Sequence, residues 1–443
     1  MKLPGESLTL EVTESMQLQD YEYFNRIFYM WRKCGIHIAI DDFGTGYSSL
    51  GYLKSMDFTG IIAEYDPFHN GHAAQLAAVR AAGAQCIAVC MSSGAVQRGG
   101  VPILPESVRV RAALDAGADL VVALPAPYAC ATAEQFAAAG VHLLAALGCD
   151  TLAFGAETPD AAALLDTARL LDGEELNARI RQNLATGMTY AAARAAAADA
   201  LHPGTGGLLR TPNNILGIEY CKAILRRHAA LMPLALPRLG AAHGGGAGVH
   251  AGTPMASASF LRGLPQPDWE PFVPARAAEL YGRAAADGLL LDGARLETAV
   301  LALLRMQDPA NFAQVRGVSE GLENRLTAAV READSLDDLY TRLKTKRYPH
   351  ARLRRLVLDA ALGFPAELPM PPYLHVLGAR KAALPRLKQA SLPAATALAD
   401  LARTGPEAAK ISRLHNKAVD FSSLCREKIQ PMGLAFTAKP VVI

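Results

Sequence analysis

The chain has 443 residues, 51% of them hydrophobic and 19% charged, with a formal net charge of +2. That length and apolarity supply material for two or three domains with their own cores, and a charge so near zero excludes a whole-chain field drawing in nucleic acid. Seven scattered cysteines without Cys-x-x-Cys spacing argue against a disulfide scaffold or structural zinc; no apolar run reaches the roughly 20 residues that span a bilayer, and the N-terminus lacks signal-peptide pattern. A soluble cytoplasmic protein is expected, with no membrane association and no evident protein partner.

In chain order, "LTLEVTESMQ" (8–17) and "IHIAIDDFGTGYSSLGYLK" (36–54) come first. They resemble two neighbouring βα units of an EAL-type cyclic-di-GMP phosphodiesterase, and the resemblance sets Glu11, Asp41 and Asp42 at metal-ligand positions. The Glu-Ala-Leu strand is absent, and the chain switches to "TGIIAEYDP" where that family continues to a Lys-containing strand. A (β/α)₈ barrel cannot close from two or three strands, nor a two-metal site form from half its ligands. Residues 1–58 are therefore expected to be a truncated, non-functional βα fragment, a fusion scar that is poorly packed or partly disordered.

Next, the apolar runs "GIIAEY", "CIAVCM", "DLVVALP" and "CDTLAFG" read as buried strands, and the Ala/Leu-rich segments 73–82, 108–117 and 131–147 between them as crossover helices. That alternation predicts an α/β domain with a Rossmann-like parallel sheet from about 60 to 260. The Gly-rich stretch 239–254 reads as a long loop, mobile or covering a site. From about 275, Ala, Leu, Arg and Glu recur at helical spacing, as in "ARLETAVLALLRM" and "YPHARLRRLVLDAAL", predicting a mainly helical C-terminal domain.

The stretch "GIIAEYDPFHNGHAAQL" concentrates the chemistry. If "GIIAEY" is the first strand of the sheet, Asp66 and Pro67 form its C-terminal turn and a helix begins at Asn70, placing His69 and His72, three residues apart, on one face of a helix N-terminus. Ligands bind at the C-terminal ends of strands in open α/β sheets, and helix N-termini attract phosphate. Each histidine can donate to a phosphate oxygen, and Gly71 lets backbone approach the ligand. Two exposed histidines on a surface helix are the bland alternative. "SSGAVQRGGVP" (92–102) offers Gln97 and Arg98 for an anion or small carboxylate, or is a surface turn. Gly155 in "FGAET" allows a nucleotide against backbone. Asn213 and Asn214 in "TPNNILGIEY" occupy capping positions, or contact adenine or ribose. Arg238 ends an apolar strand, and "ASASFLRG" supplies Ser257, Ser259 and Arg262 at a second helix start. The tract 342–355 gathers Arg342, Lys344, Lys346, Arg347, Arg352, Arg354 and Arg355 around Tyr348 without an acid, which suits a phosphate backbone and a stacked base, or is a solvated helix face.

The histidine pattern resembles the HxGH nucleotidylyltransferase superfamily. The full series "GIIAEYDPFHNGH", "QRGGVP", "GADLVVALPAPYA", "FGAET", "PNNILGIEY", "SASFLR" and "KTKRYPHARLRR" resembles the bacterial tRNA(Met) cytidine acetate ligase family over 59–443. The resemblance implies activation of acetate by ATP to acetyl-adenylate with release of pyrophosphate, then acetyl transfer to the wobble cytidine of elongator tRNA(Met), giving N4-acetylcytidine. It implies His69, His72 and Arg262 as catalytic residues, with Mg²⁺ accompanying ATP and no metal-ligand set of the chain's own. The ATP site it implies is the run Ile62, Ala63, Glu64, Tyr65, Asp66, Pro67, Phe68, His69, Asn70, Gly71, His72, Ala73, Ala74 and Gln75, joined by Gly155, Asn213, Arg238, Ser257 and Ser259. Lys344, Lys346, Arg347, Arg352, Arg354 and Arg355 would face tRNA. The implied domains are a catalytic 59–270 and a tRNA-binding 271–443. One departure is Glu106, near the place where that family carries a Lys; Glu cannot replace a phosphate-binding cation, so turnover would depend on Arg109 or Arg111. Carboxylate attack needs no general base, only alignment and neutralisation of the developing pyrophosphate charge. The alternatives are a nucleotidylyltransferase for a small metabolite, which needs no basic tract, and a signalling module binding cyclic-di-GMP through 1–58.

Overall fold

The structure, a computed structural model, describes residues 9–13, 37–41, 57–238, 246–319, 321–345 and 348–443. It comprises two units, residues 1–55 and 56–443. In the first, strands β1 (Thr9–Thr13) and β2 (His37–Asp41) pair in parallel, with Glu11 opposite Ala39. Asp42 and the rest of the EAL-like segment lie outside the described residues.

The second unit begins with strand β3 (Phe58–Ala63), helix α1 (Asn70–Ala81), strand β4 (Cys86–Ser92), helix α2 (Glu106–Asp115), strand β5 (Leu120–Leu124), helix α3 (Ala133–Leu147) and strand β6 (Thr151–Ala156). Helix α4 (Pro212–Arg227) then leads into strand β7 (Met232–Pro237). Strands β3 to β7 are parallel and ordered β5-β4-β3-β6-β7, so the chain leaves β3 toward one edge and returns to its other side at β6. The crevice between the C-terminal ends of β3 and β6 is the switch point where such sheets bind ligands.

Alternation along the strands builds two cores. Ile62, Cys90 and Val122 enter one, while Ile61, Val89 and Val121 enter the other. Both faces are covered, which is why the strands read as continuous apolar runs. Helix α3 sits close on β3 because each contributes a glycine: a Cβ on Gly60 would come within 2.7 Å of Leu144, and one on Gly140 within 2.5 Å of Ile62.

Two features add to the sequence expectations. Part of the 239–254 loop is a hairpin of β8 (Gly248–His250) and β9 (Thr253–Met255), whose turn residues Ala251 and Gly252 have φ of 47° and 78°. Positive φ at both central residues matches the twist of a two-residue hairpin. The C-terminal region is not wholly helical either. Helices α5 (Leu336–Leu343), α6 (His350–Leu362) and α7 (Pro406–Leu424) are interleaved with β10 (Leu374–Ala379), β11 (Ala394–Ala395) and β12 (Val441–Val442). β10 pairs antiparallel with β5, extending the parallel sheet, and both β11 and β12 pair with β10. Helix α7 shares its apolar face between cores, sending Ile411 into one and Phe421 into the helical cluster. A buried ion pair, Arg316 to Asp359 at 2.8 Å, also reaches the Cys130 carbonyl at 2.8 Å, tying the helical layer to the segment between β5 and α3. Residues 56–443 thus form one compact unit. Among the described residues, no helix is long and apolar enough to cross a membrane.

Candidate functional site

Strand β3 delivers the turn 64–69 to the switch point, and α1 starts there. His69 is the N-cap residue: its Nδ1 accepts from the Gly71 N–H at 3.1 Å, and the His69 N–H donates to His72 Nδ1 at 3.3 Å. The reciprocal bonds of a capping box are made here by two imidazoles. Accepting at Nδ1 requires both rings to carry their proton at Nε2. The rings stack with centroids 3.7 Å apart. Burial, followed by the Arg238 and Arg262 cations, pushes His69 down to about 3; desolvation, His69 and Arg238 hold His72 well below the ordinary histidine range. At neutral pH the pair is therefore uncharged, and its Nε2–H groups have no acceptor among the described residues.

The residues around the pair hold it in place. Tyr65 is buried with φ 50° and sets its ring edge-on to His72 at 4.9 Å, while its hydroxyl finds no partner. Nothing in the sequence flagged Tyr65 beyond its place in the motif; a left-handed tyrosine is visible only in the folded backbone. Asn70 donates to the Pro254 carbonyl at 2.9 Å and the Pro271 carbonyl at 3.2 Å, and Tyr281 donates to the Phe68 carbonyl at 2.9 Å. Asp66 is buried, accepts from the Ile103 N–H at 2.7 Å and pairs with Arg98. Burial alone would raise its pKa, but Arg98, Arg109 and Arg262 hold it below the usual carboxylate value. Arg262 donates to the Asp66 carbonyl, and burial lowers its pKa to about 10.

Across the switch point, Gly155 leaves room for Arg238, whose Cγ would lie 3.3 Å from an added Cβ. Arg238 reaches Glu157 at 3.9 Å. Here the expected role of the asparagines changes. The N-cap of α4 is Thr211, without a side-chain cap bond, and the Glu157 carboxylate instead accepts the Asn213 and Asn214 N–H groups at 3.3 and 2.8 Å. A carboxylate suits a helix N-terminus better than an amide, because the helix dipole favours negative charge there. Asn213 Nδ2 also donates to Glu157 at 2.6 Å, and buried Asn214 pairs with Thr158 at 3.0 and 3.2 Å. Ser257 caps the short helix Ala258–Leu261 by accepting from the Phe260 N–H at 3.2 Å, and its hydroxyl lies 3.0 Å from that of Ser259.

The loop 94–100 is fastened to the same strand end. The Gln97 N–H donates to Glu64 at 2.6 Å, and Arg98 pairs with Glu64 at 3.3 Å as well as with Asp66. Its far side meets α6: Arg355 donates to the Gln97 carbonyl at 3.3 Å, and Gly99, at φ 83°, packs so closely that an added Cβ would fall 2.4 Å from the Arg355 nitrogen. The basic tract thus abuts the loop that carries Arg98.

Within the tract, the side chains divide. Tyr348 is buried beneath Arg352, whose guanidinium lies 4.7 Å from the ring centroid, so a base cannot stack on it as the sequence suggested. Arg342 pairs with Asp338 at 2.7 Å and with Glu332; the acid-free tract acquires acids from neighbouring turns. Arg352 bonds the Gly317 carbonyl and the Ser319 hydroxyl. Lys344 and Arg354 are exposed. Lys346 and Arg347 lie outside the described residues.

At the Glu106 departure, neither expected substitute is free in full. Arg109 is buried and donates to the Glu64 and Ser92 carbonyls at 2.7 and 2.9 Å, leaving Nε without a partner, and Arg111 pairs with Asp115 at 2.9 Å.

Comparison with known proteins places this geometry among relatives. The family model for "HIGH Nucleotidyl Transferase" matches residues 56–433, and that for the EAL domain matches residues 2–94. A tRNA(Met) cytidine acetate ligase of Syntrophotalea carbinolica is 36% identical over 310 residues, covering 68% of this chain and 73% of that protein. The apo crystal structure of Thermotoga maritima TmcAL, 25% identical, superposes with a TM-score of 0.80 over 88% of this chain and 100% of that one. The same protein bound with alpha-thio ATP, 24% identical, gives 0.79 over 87% and 99% and shares the fold.

Proposed function

This chain belongs to the HIGH nucleotidyl transferase family and, within it, to the tRNA(Met) cytidine acetate ligases, and from that premise we propose how its residues carry out the reaction. It is an ATP-dependent ligase that activates acetate to acetyl-adenylate and transfers the acetyl group to the wobble cytidine of elongator tRNA(Met), forming N4-acetylcytidine. The observation that carries the site assignment is the stacked, uncharged His69–His72 pair, with two Nε2–H donors at the sheet's switch point beside Arg238 and Arg262.

An acetate oxygen bonds to the α-phosphorus of ATP, the bond from that phosphorus to the bridging oxygen breaks, and pyrophosphate leaves with the electron pair. No proton moves in this step. The histidines donate hydrogen bonds to phosphate oxygens without changing charge, and Arg238 and Arg262 balance the negative charge that grows on the leaving group. The cytidine N4 amine then attacks the acetyl carbonyl carbon, the bond from that carbon to the AMP oxygen breaks with AMP taking the electron pair, and the N4 proton passes to water. Mg²⁺ would enter with the triphosphate, bound through phosphate oxygens and water. Glu64 and Asp66 are already engaged by Arg98, which fits a metal carried by the nucleotide rather than by a carboxylate cage. Residues Ile62 to Gln75, with Gly155, Asn213, Arg238, Ser257 and Ser259, line the ATP site on this reading, and Lys344, Arg352, Arg354 and Arg355, with Lys346 and Arg347, face tRNA.

Acetate-dependent ATP–pyrophosphate exchange, measured with and without tRNA, tests the proposal. Exchange with acetate followed by acetylation of tRNA(Met) is expected. Exchange that requires a different small metabolite and ignores acetate would favour the small-metabolite transferase instead.

A further inference from the structure

Arg109 links the histidine turn to a second space in the molecule. Its Nη1 holds the Glu64 and Ser92 carbonyls at the ends of β3 and β4, and the same side chain lines a cavity of about 280 Å³ bounded by the start of α2, β10, the end of α7 and the C-terminal segment. Three buried polar atoms of residues lining that cavity have no hydrogen-bond partner: Glu106 Oε2, Arg109 Nε and His375 Nδ1. Arg109 and His375 are 1% and 6% exposed. Orphaned buried polar atoms are rare and costly in native proteins, and these three lie behind the cavity wall, making its lining polar on the side of α2 and β10.

The lining specifies the occupant. Arg109, Arg426 and Lys439 bring three cations against one carboxyl group, Glu106, and His375 is uncharged because burial lowers it to about 4. Arg426 spends three of its five N–H donors on the Ile103 and Leu289 carbonyls and the Ser422 hydroxyl, so it contributes mainly charge. Leu104, Val376, Leu377 and Leu434 supply apolar walls. A volume of 280 Å³ equals about nine waters at about 30 Å³ each, more than double what the four heavy atoms of acetate occupy. We propose that this cavity is a binding site for a small monocarboxylate with a hydrocarbon body longer than that of acetate, its carboxylate drawn to the charge of Arg109, Arg426 and Lys439 and its chain against the leucine and valine walls.

Binding should take up a proton. Burial, opposed by Arg109, raises Glu106 to about 7. The charged or titratable groups facing it are Arg109 on its own helix, Arg426 beyond α7, Lys439 near the C-terminus and His375 on β10. Only Glu106 changes charge near neutrality, and its protonated form removes the one repulsion a carboxylate would meet.

Titration calorimetry of the full chain with sodium hexanoate, without ATP and between about pH 6 and about pH 8, tests this. One site per chain is expected, with affinity falling by up to about tenfold per pH unit above neutrality, the limit for one proton linked to binding. Glu106→Gln, which keeps the shape and fixes the neutral form, should bind with no pH dependence. Ala438→Trp, which intrudes on the cavity from an exposed position, should weaken binding at least tenfold with unchanged melting temperature. Absence of hexanoate binding at millimolar concentration, binding indifferent to both substitutions, or acetate binding as tightly as hexanoate would each overturn the proposal. Because ATP is omitted, these outcomes are independent of whether acetate-dependent exchange occurs.

Discussion

The histidine turn and the basic tract both announce themselves as short motifs, yet folding treats them differently. In the turn, the His69 ring accepts the Gly71 N–H and the His72 ring accepts the His69 N–H, all within three residues, so the geometry is local and the motif's arrangement survives into the structure. In the tract, side chains seek partners across turns: Arg342 goes to Glu332 and Asp338, Arg352 to Gly317 and Ser319, and Arg355 to Gln97. A motif whose hydrogen bonds close on itself can be read from sequence. A motif of long, flexible cations cannot, because each takes whichever carboxylate or carbonyl the fold brings near.

The largest expected effect lies in the turn. His72→Ala should lower acetate-dependent exchange by about 10² to 10³, the cost typical of losing one preorganised donor, while the chain still folds with a melting temperature lowered by a few degrees through loss of the capping bond. An unchanged rate would remove the pair from the chemistry and dissolve the contrast with the tract.

A second effect concerns charge. His69 titrates at about 3 in the folded chain and near 6.5 when unfolded, so between those values the unfolded state binds more protons and stability falls as pH falls. The slope contributed is up to about 1.4 kcal/mol per pH unit. His69→Asn retains a side-chain acceptor for the Gly71 N–H and removes the titration, so denaturant unfolding followed from neutrality down to about pH 4 should show a shallower acid limb. An identical limb would mean that the imidazole is not held neutral.

Within the tract, Arg354→Ala and Arg355→Ala should separate. Arg354 is exposed, with its guanidinium 5.9 Å from the Tyr340 ring centroid, so its loss should weaken tRNA binding up to about tenfold, flatten the salt slope by about one unit and spare exchange. Arg355 props the Gln97 loop, so its loss should also raise the KM of exchange measured without tRNA. Identical behaviour of the two variants would make the tract a uniform charged face.

The smallest effect expected is none. Residues 1–55 form a unit separate from 56–443, so deleting them should leave exchange and tRNA acetylation at the level of the full chain. An inactive or insoluble product would show that the EAL-like segment supports the ligase fold.

The sequence by itself determined the parallel α/β order, the switch-point placement of the histidines and the ends of the strands carrying Gly155 and Arg238. Those signals are local, set by apolar runs of strand length and by turns next to them. Only the tertiary structure decided that Leu374–Ala379 joins the sheet beside β5, since a six-residue apolar run among helices declares nothing until a partner strand is present. It likewise decided that Glu157 caps the helix in place of Asn213 and Asn214, that Tyr348 is buried, and that Glu106 and Arg109 share a cavity with His375. Each of these depends on which distant group arrives to satisfy a buried polar atom or cover an apolar ring, and the fold fixes that only when the chain closes on itself.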